Sequence, residues 1–99
     1  MKLIVAIVRP FTVDKILTAF EEIEGFPGMT VSDSEGFGRR FRSGQYDPTD
    51  PFKPGKRIEI AANDELVENI VAAIRENAHT GKMGDGLITV VDIEKAVLI

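Results

Sequence analysis

Two glycine-rich stretches hold the residues best suited to chemistry. In Thr80-Gly81-Lys82-Met83-Gly84-Asp85-Gly86, three glycines surround a lysine, so backbone N–H groups can converge on an anion with an ammonium beside them. Gly36-Phe37-Gly38-Arg39-Arg40-Phe41 joins small residues, which permit close backbone approach, to two planar guanidinium forks suited to phosphate or carboxylate. The first stretch lacks the Gly-x-x-x-x-Gly-Lys-Ser/Thr spacing of a Walker A loop, and no long helix follows it as in a Rossmann phosphate site. The same glycines would also serve a helix cap followed by a turn, and the same arginines a solvated strand end.

Catalysis has little to draw on. Ser32, Ser34 and Ser43 sit in no nucleophile elbow, and the single histidine, His79, falls at the end of a helical pattern, near its terminal carbonyls. No cysteine is present, which excludes disulfides, thiolate metal sites and a cysteine nucleophile, and one histidine does not make a zinc cluster. Glu21, Glu22 and Glu24 read as a solvated helix face. The expectation is a non-enzymatic binding protein without a metal. A rival is RNA recognition, because Gly36-Phe37-Gly38 echoes part of an RNP1 motif; Arg39 and Arg40 then replace its aromatic and valine, and it falls on the second strand rather than the third.

The net charge of −4 conceals an asymmetry. Residues 39 to 57 carry six bases (Arg39, Arg40, Arg42, Lys53, Lys56 and Arg57) against Asp47 and Asp50, leaving six bases and fourteen acids elsewhere. A basic segment on an acidic body suggests one local anionic ligand or partner rather than a nucleic-acid coat.

The elements that must position these residues follow from periodicity. Leu3 to Val8 is an apolar run of strand length ended by Pro10. Thr12 is placed to cap a helix carrying Val13, Ile16, Leu17, Phe20 and Ile23, which Gly25, Pro27 and Gly28 break. Met29 to Phe37 reads as a second strand. Pro48, Pro51 and Pro54 exclude regular structure from a long loop over about 38–55. Arg57 to Ala62 is a third strand, and Asn63 caps a helix with Asp64 and Glu65 in its first turn and Leu66, Val67, Ile70, Val71 and Ile74 inward. Gly81 suits its C-cap, Leu87 to Val91 is the last strand, and Asp92 would cap a final turn through Ala96.

Ninety-nine residues in this order form one domain, 1–99, of α+β class with a ferredoxin-like βαββαβ arrangement. Both helices then cover one sheet face. The first and last strands do not alternate apolar with polar, so further subunits should cover the other face. No apolar run approaches a membrane span and no cleavable leader pattern opens the chain, so a cytoplasmic protein is expected.

Taken in order, Arg9-Pro10-Phe11, Gly28-Met29-Thr30-Val31, Gly36-Phe37-Gly38-Arg39, Ile58-Glu59-Ile60 and the Thr80–Gly86 loop resemble the PII signal-transduction family, from Lys2 to about Ala96. The resemblance implies a homotrimer that binds adenine nucleotide in clefts between subunits. It also implies signalling to a transporter or enzyme through the loop between the second and third strands. It places Ile7, Gly36, Gly38 and Arg39 along the nucleotide and Lys82, Met83, Gly84, Asp85 and Gly86 around its phosphates. Gly28, Met29, Thr30, Glu59 and Ala61 of the adjacent subunit would line the base pocket. Several positions depart from the pattern. Arg40 stands where a glutamine is usual, Leu87 replaces a lysine, Gly55 lies at or near another lysine's place, and the loop is short. The chain also stops at Ile99 without a basic tail, and Tyr46, reminiscent of a modified tyrosine, lacks matching neighbours. A divergent PII-like member is implied, with ADP or AMP favoured and ATP a further candidate. Bicarbonate beside Arg40 is a second ligand to consider, with partner contacts from Arg40, Arg42 and Lys53, in nitrogen or inorganic-carbon (carboxysome) metabolism.

Overall fold

A computed structural model describes residues 1–41 and 47–99. Four strands and two helices alternate: β1 (Lys2–Val8), α1 (Val13–Glu21), β2 (Thr30–Gly36), β3 (Lys53–Ala62), α2 (Asp64–Ala78) and β4 (Gly86–Asp92). The sheet order is β2-β3-β1-β4, and every neighbouring pair is antiparallel. This is the expected ferredoxin-like βαββαβ arrangement.

Alternation along each strand decides where the core lies. Ile4, Ala6 and Val8 of β1 pair with Ile60, Ile58 and Lys56 of β3, and one face of these strands packs against the helices. Ile16 and Phe20 of α1 and Val67, Ile70, Ile74 and Ala78 of α2 complete the core. These helix positions recur every three or four residues, which places them on one stripe, and each large aliphatic is worth about 1.5–3 kcal/mol buried. Phe26, beyond the end of α1, stacks on Phe20 with ring centroids 4.4 Å apart.

Several local expectations need correction. Thr12 precedes α1, but its hydroxyl donates back to the Arg9 carbonyl at 2.8 Å instead of capping the helix. Asn63 occupies the N-cap of α2 without a side-chain cap bond. α1 stops at Glu21, short of Ile23, and α2 ends at His79 in extended conformation, so Gly81 serves the next turn rather than a C-cap. Residues after Asp92 form no helical turn.

Regular structure begins inside the proline-containing stretch. β3 begins at Lys53 and includes Pro54, opposite Glu35. That part of β3 lies beyond the last pair with β1, Val8 with Lys56, so Pro54 sits near a strand start, where proline is tolerated. Arg39–Phe41 forms a short 3-10 turn; at Asp47–Asp50 a plain turn closes with the Asp50 amide donating to the Asp47 carbonyl at 3.1 Å, and the Asp47 carboxylate accepts the Thr49 amide at 2.9 Å. Arg42 and Tyr46 lie outside the described residues.

Among the described residues, no helix lies on the second sheet face. Leu3, Val5 and Ile7 of β1 lie there with Leu87, Thr89 and Val91 of β4 and with Arg57, Glu59 and Ala61 of β3. Leu87 and Val91 are exposed.

Candidate functional site

The C-terminal ends of β1 and β2 and the N-terminal ends of β3 and β4 meet at one end of the sheet, where Val8 pairs with Gly86 and Gly36 with Lys53. Both glycine stretches therefore come to the same place. Gly86 is required by space as well as by conformation. A Cβ there would fall 2.0 Å from the Ile7 carbonyl oxygen, and its φ of +138° is one L side chains rarely adopt.

Arg9, the first residue after β1, folds the lysine-containing loop. Its guanidinium donates to the carbonyls of Met83 at 2.8 Å and Gly84 at 3.1 Å, and lies 3.3 Å from the Asp85 carboxylate. That carboxylate also accepts the amides of Thr80 at 2.7 Å and Gly81 at 3.1 Å, and the Thr80 hydroxyl. Burial alone would raise the Asp85 carboxyl above its ordinary range. The Thr80 and Gly81 donors and the Arg9 charge outweigh it, and the net shift is downward. Asp85 is thus held ionised, with its charge spent inside the loop. His79 is the C-cap of α2, its amide donating to the Arg75 carbonyl at 3.2 Å, and its Nδ1 lies 3.7 Å from the same carboxylate.

The cations around it are differently placed. Lys82, Arg39, Arg40 and Lys53 make no ion pair among the described residues. Two clefts open between these groups. One of about 180 Å³ is lined by Ile7, Arg9, Phe41, Lys53, Gly84 and Gly86. The other, about 640 Å³, is lined by Phe37, Gly38, Arg39, Arg40, Phe41 and Met83.

The expected residues thus divide into two groups. Ile7, Gly36, Gly38, Arg39, Arg40, Lys53 and the Lys82–Gly86 segment gather at this end of the sheet. Gly28, Met29, Thr30, Glu59 and Ala61 do not. Thr30 pairs with Glu59 at the far end of β2, about 20 Å along the strand from Gly36, and Ala61 pairs with Leu3. Met29 packs against the core of its own chain, and Glu59 binds Arg57 at 2.6 Å. Within one chain the two groups stay apart. The sequence reading missed Arg9 and Phe41 as site residues. Arg9 stood in a quoted motif as a marker only, and Phe41 carried no signal beyond its place after the arginines.

Comparison with known proteins gives the family. The family model for nitrogen regulatory protein P-II matches residues 1–99. The chain belongs to the P-II family. It is 42% identical to the nitrogen regulatory protein P-II of Bradyrhizobium diazoefficiens, with all of this chain and 91% of that protein covered. Identity is 40% to the protein of the same description from Azospirillum brasilense and 39% to that from Pasteurella multocida, with the same coverage. Each of these alignments runs over 105 positions against 99 residues of this chain, so at least six positions lack a counterpart here. P-II proteins are regulatory signal transducers, not enzymes, and this chain is a signalling regulator of that kind. The family binds adenine nucleotides and works through partner proteins. Among the described residues no helix is long and apolar enough to cross a membrane, and no cluster of three or more histidines and carboxylates is suited to a metal.

Proposed function

We propose that this P-II protein binds adenine nucleotides in clefts between the subunits of a homotrimer and passes their state to a partner protein through the β2–β3 connection. The observation that carries this reading is the charge balance at the loop end. Arg9 and the loop amides neutralise Asp85 internally, while Arg39, Arg40 and Lys53 line two clefts unpaired among the described residues, and Lys82, equally unpaired there, precedes the cleft-lining Met83 and Gly84. Such a site suits a phosphate, which each unpaired cation would meet in a charge-assisted hydrogen bond. Gly28, Met29, Thr30, Glu59 and Ala61 of a neighbouring copy would supply the base pocket. ADP and AMP are favoured over ATP, because Leu87 brings an aliphatic side chain, not a cation, to the start of β4. Bicarbonate is a second ligand, held by Arg40. The target is a transporter or metabolic enzyme in nitrogen or inorganic-carbon metabolism, met in the cytoplasm.

Calorimetry with AMP, ADP, ATP and cyclic AMP tests the reading, with Lys82→Ala as the weakened control. Absence of heat with all four would leave the RNA reading. One observation favours that alternative: Phe37 and Phe52 are exposed, with ring centroids 6.0 Å apart, close to Arg39 and Arg40. The open sheet face argues against it. Its central and outer strands carry Val5, Ile7 and Leu87 where an RNA-binding sheet of this fold carries stacking aromatics.

A further inference from the structure

Among the described residues, Phe41 is the one that lines both clefts at the loop end. Its ring lies directly on Gly36: a Cβ built there would fall 2.2, 2.4 and 2.5 Å from three ring carbons. The close approach that a glycine permits is therefore taken by the chain's own side chain. A second observation lies next to it. The Ser34 hydroxyl is the single buried side-chain polar atom without a hydrogen-bond partner among the described residues. Ser34 precedes Gly36 by two positions, so both are on the open face. Its Oγ lies over Gly55, 2.9 Å from where a Cβ would stand, and Gly55 lines the smaller cleft. An unpaired buried hydroxyl costs stability and calls for an explanation.

We infer that Phe41 occupies the nucleotide's seat on Gly36 in the free chain, and that an arriving nucleotide displaces the ring and accepts a hydrogen bond from the Ser34 hydroxyl, two positions along the same face. This rests on the nucleotide reading above. The ring belongs to the 3-10 turn Arg39–Phe41, which is closed by the Phe41 amide donating to the Gly38 carbonyl at 3.1 Å. Gly38, with φ +122°, lies just before that turn and can serve as its pivot. Moving the ring therefore moves Arg39 and Arg40, so filling the cleft and reshaping the start of the β2–β3 connection become one event. Because the binding-competent state must first expel its own side chain, apparent affinity is lowered by the fraction of time the seat is free.

Calorimetry on the full chain with adenosine, AMP and ADP, comparing wild type, Phe41→Ala and Ser34→Ala, tests this. Phe41→Ala should bind AMP about three- to tenfold more tightly, by removing the competitor. Ser34→Ala should melt at a higher temperature yet bind about fivefold more weakly, because it removes an unsatisfied donor from the free chain and a used one from the complex. A purely structural serine would not move those two readouts in opposite directions. Loss confined to AMP and ADP points to a phosphate oxygen as acceptor, and loss with adenosine as well points to the ribose. In the unmutated chain, AMP should abolish the NMR contact between the Phe41 ring and the Gly36 Hα protons. If wild type binds AMP while Phe41→Ala binds equally or more weakly, or the ring contact persists when AMP is bound, the displacement is wrong. Unchanged affinity in Ser34→Ala removes that residue from the site. If neither wild type nor Phe41→Ala binds any nucleotide, the nucleotide reading itself fails and takes this inference with it.

Discussion

At Asp85, backbone amides, a hydroxyl and a guanidinium converge on one carboxylate that is only 19% exposed, against 16% for Arg9. Removing the cation leaves that charge partly buried with less compensation and frees two carbonyls. Arg9→Ala should therefore destabilise the chain by about 1–3 kcal/mol, read as a lower urea midpoint, and should weaken nucleotide binding through a looser glycine loop. The pH dependence follows from the direction of the Asp85 shift. A carboxyl lowered by folding stabilises the folded loop fully above its unfolded value of about 3.9, and that contribution is lost as pH falls through the lower folded value. Amide protection factors at Thr80 and Gly81, with the intrinsic pH dependence of exchange divided out, should thus be flat from pH 5 to 8 and fall in the acid range. A fall already at pH 6 would mean that another group holds the loop.

Elements were largely legible because their signals are local. The α2 stripe of Val67, Ile70 and Ile74 and the apolar run of β1 each sit where periodicity placed them. Misreadings occurred where a distant partner decides the outcome. Pro54 reads as a strand breaker by itself, yet pairing with Glu35 in β2 places it inside β3. Thr12 reads as a cap, but the 3-10 turn from Pro10 turns its hydroxyl back to Arg9. The glycine loop stands out in the sequence, whereas its clamp does not, because Arg9 and Asp85 lie far apart in sequence. Likewise no local pattern shows that Phe41 lies on Gly36. At the start of β4 the constraint is strict. Gly86→Ala would press a methyl onto the Ile7 carbonyl, which is backbone and cannot rotate away. About 3 kcal/mol or more should be lost, or folding prevented, whereas Gly25→Ala, with open space around it, should cost less; urea denaturation of both variants checks the ranking.

At the scale of the whole molecule, the face without helices is the largest demand the chain leaves unmet. Leu3, Val5 and Ile7 beside Leu87 and Val91 form an apolar sheet face with no cover from the chain's own helices. Val5→Asp sits on that face, away from the core of Ile4, Ala6 and Val8, so it should dissociate the proposed homotrimer while sparing the fold. Light scattering should then report a smaller species with unchanged circular dichroism. An unaltered oligomer would move the interface elsewhere. Because Glu59 and Thr30 lie far along the strands from Gly36, dissociation should also abolish nucleotide binding, although every cation of the glycine-loop end remains. The same geometry permits a sharper test. Lys82→Ala damages the phosphate end of a cleft and Glu59→Ala its base end, so each homo-oligomer should bind poorly. Co-expressed, the two variants should restore some clefts, since an intact Lys82 from one subunit can meet an intact Glu59 from its neighbour. If the mixture binds no better than either variant alone while mixed oligomers are present, the cleft lies within a single chain and the shared-site reading is wrong.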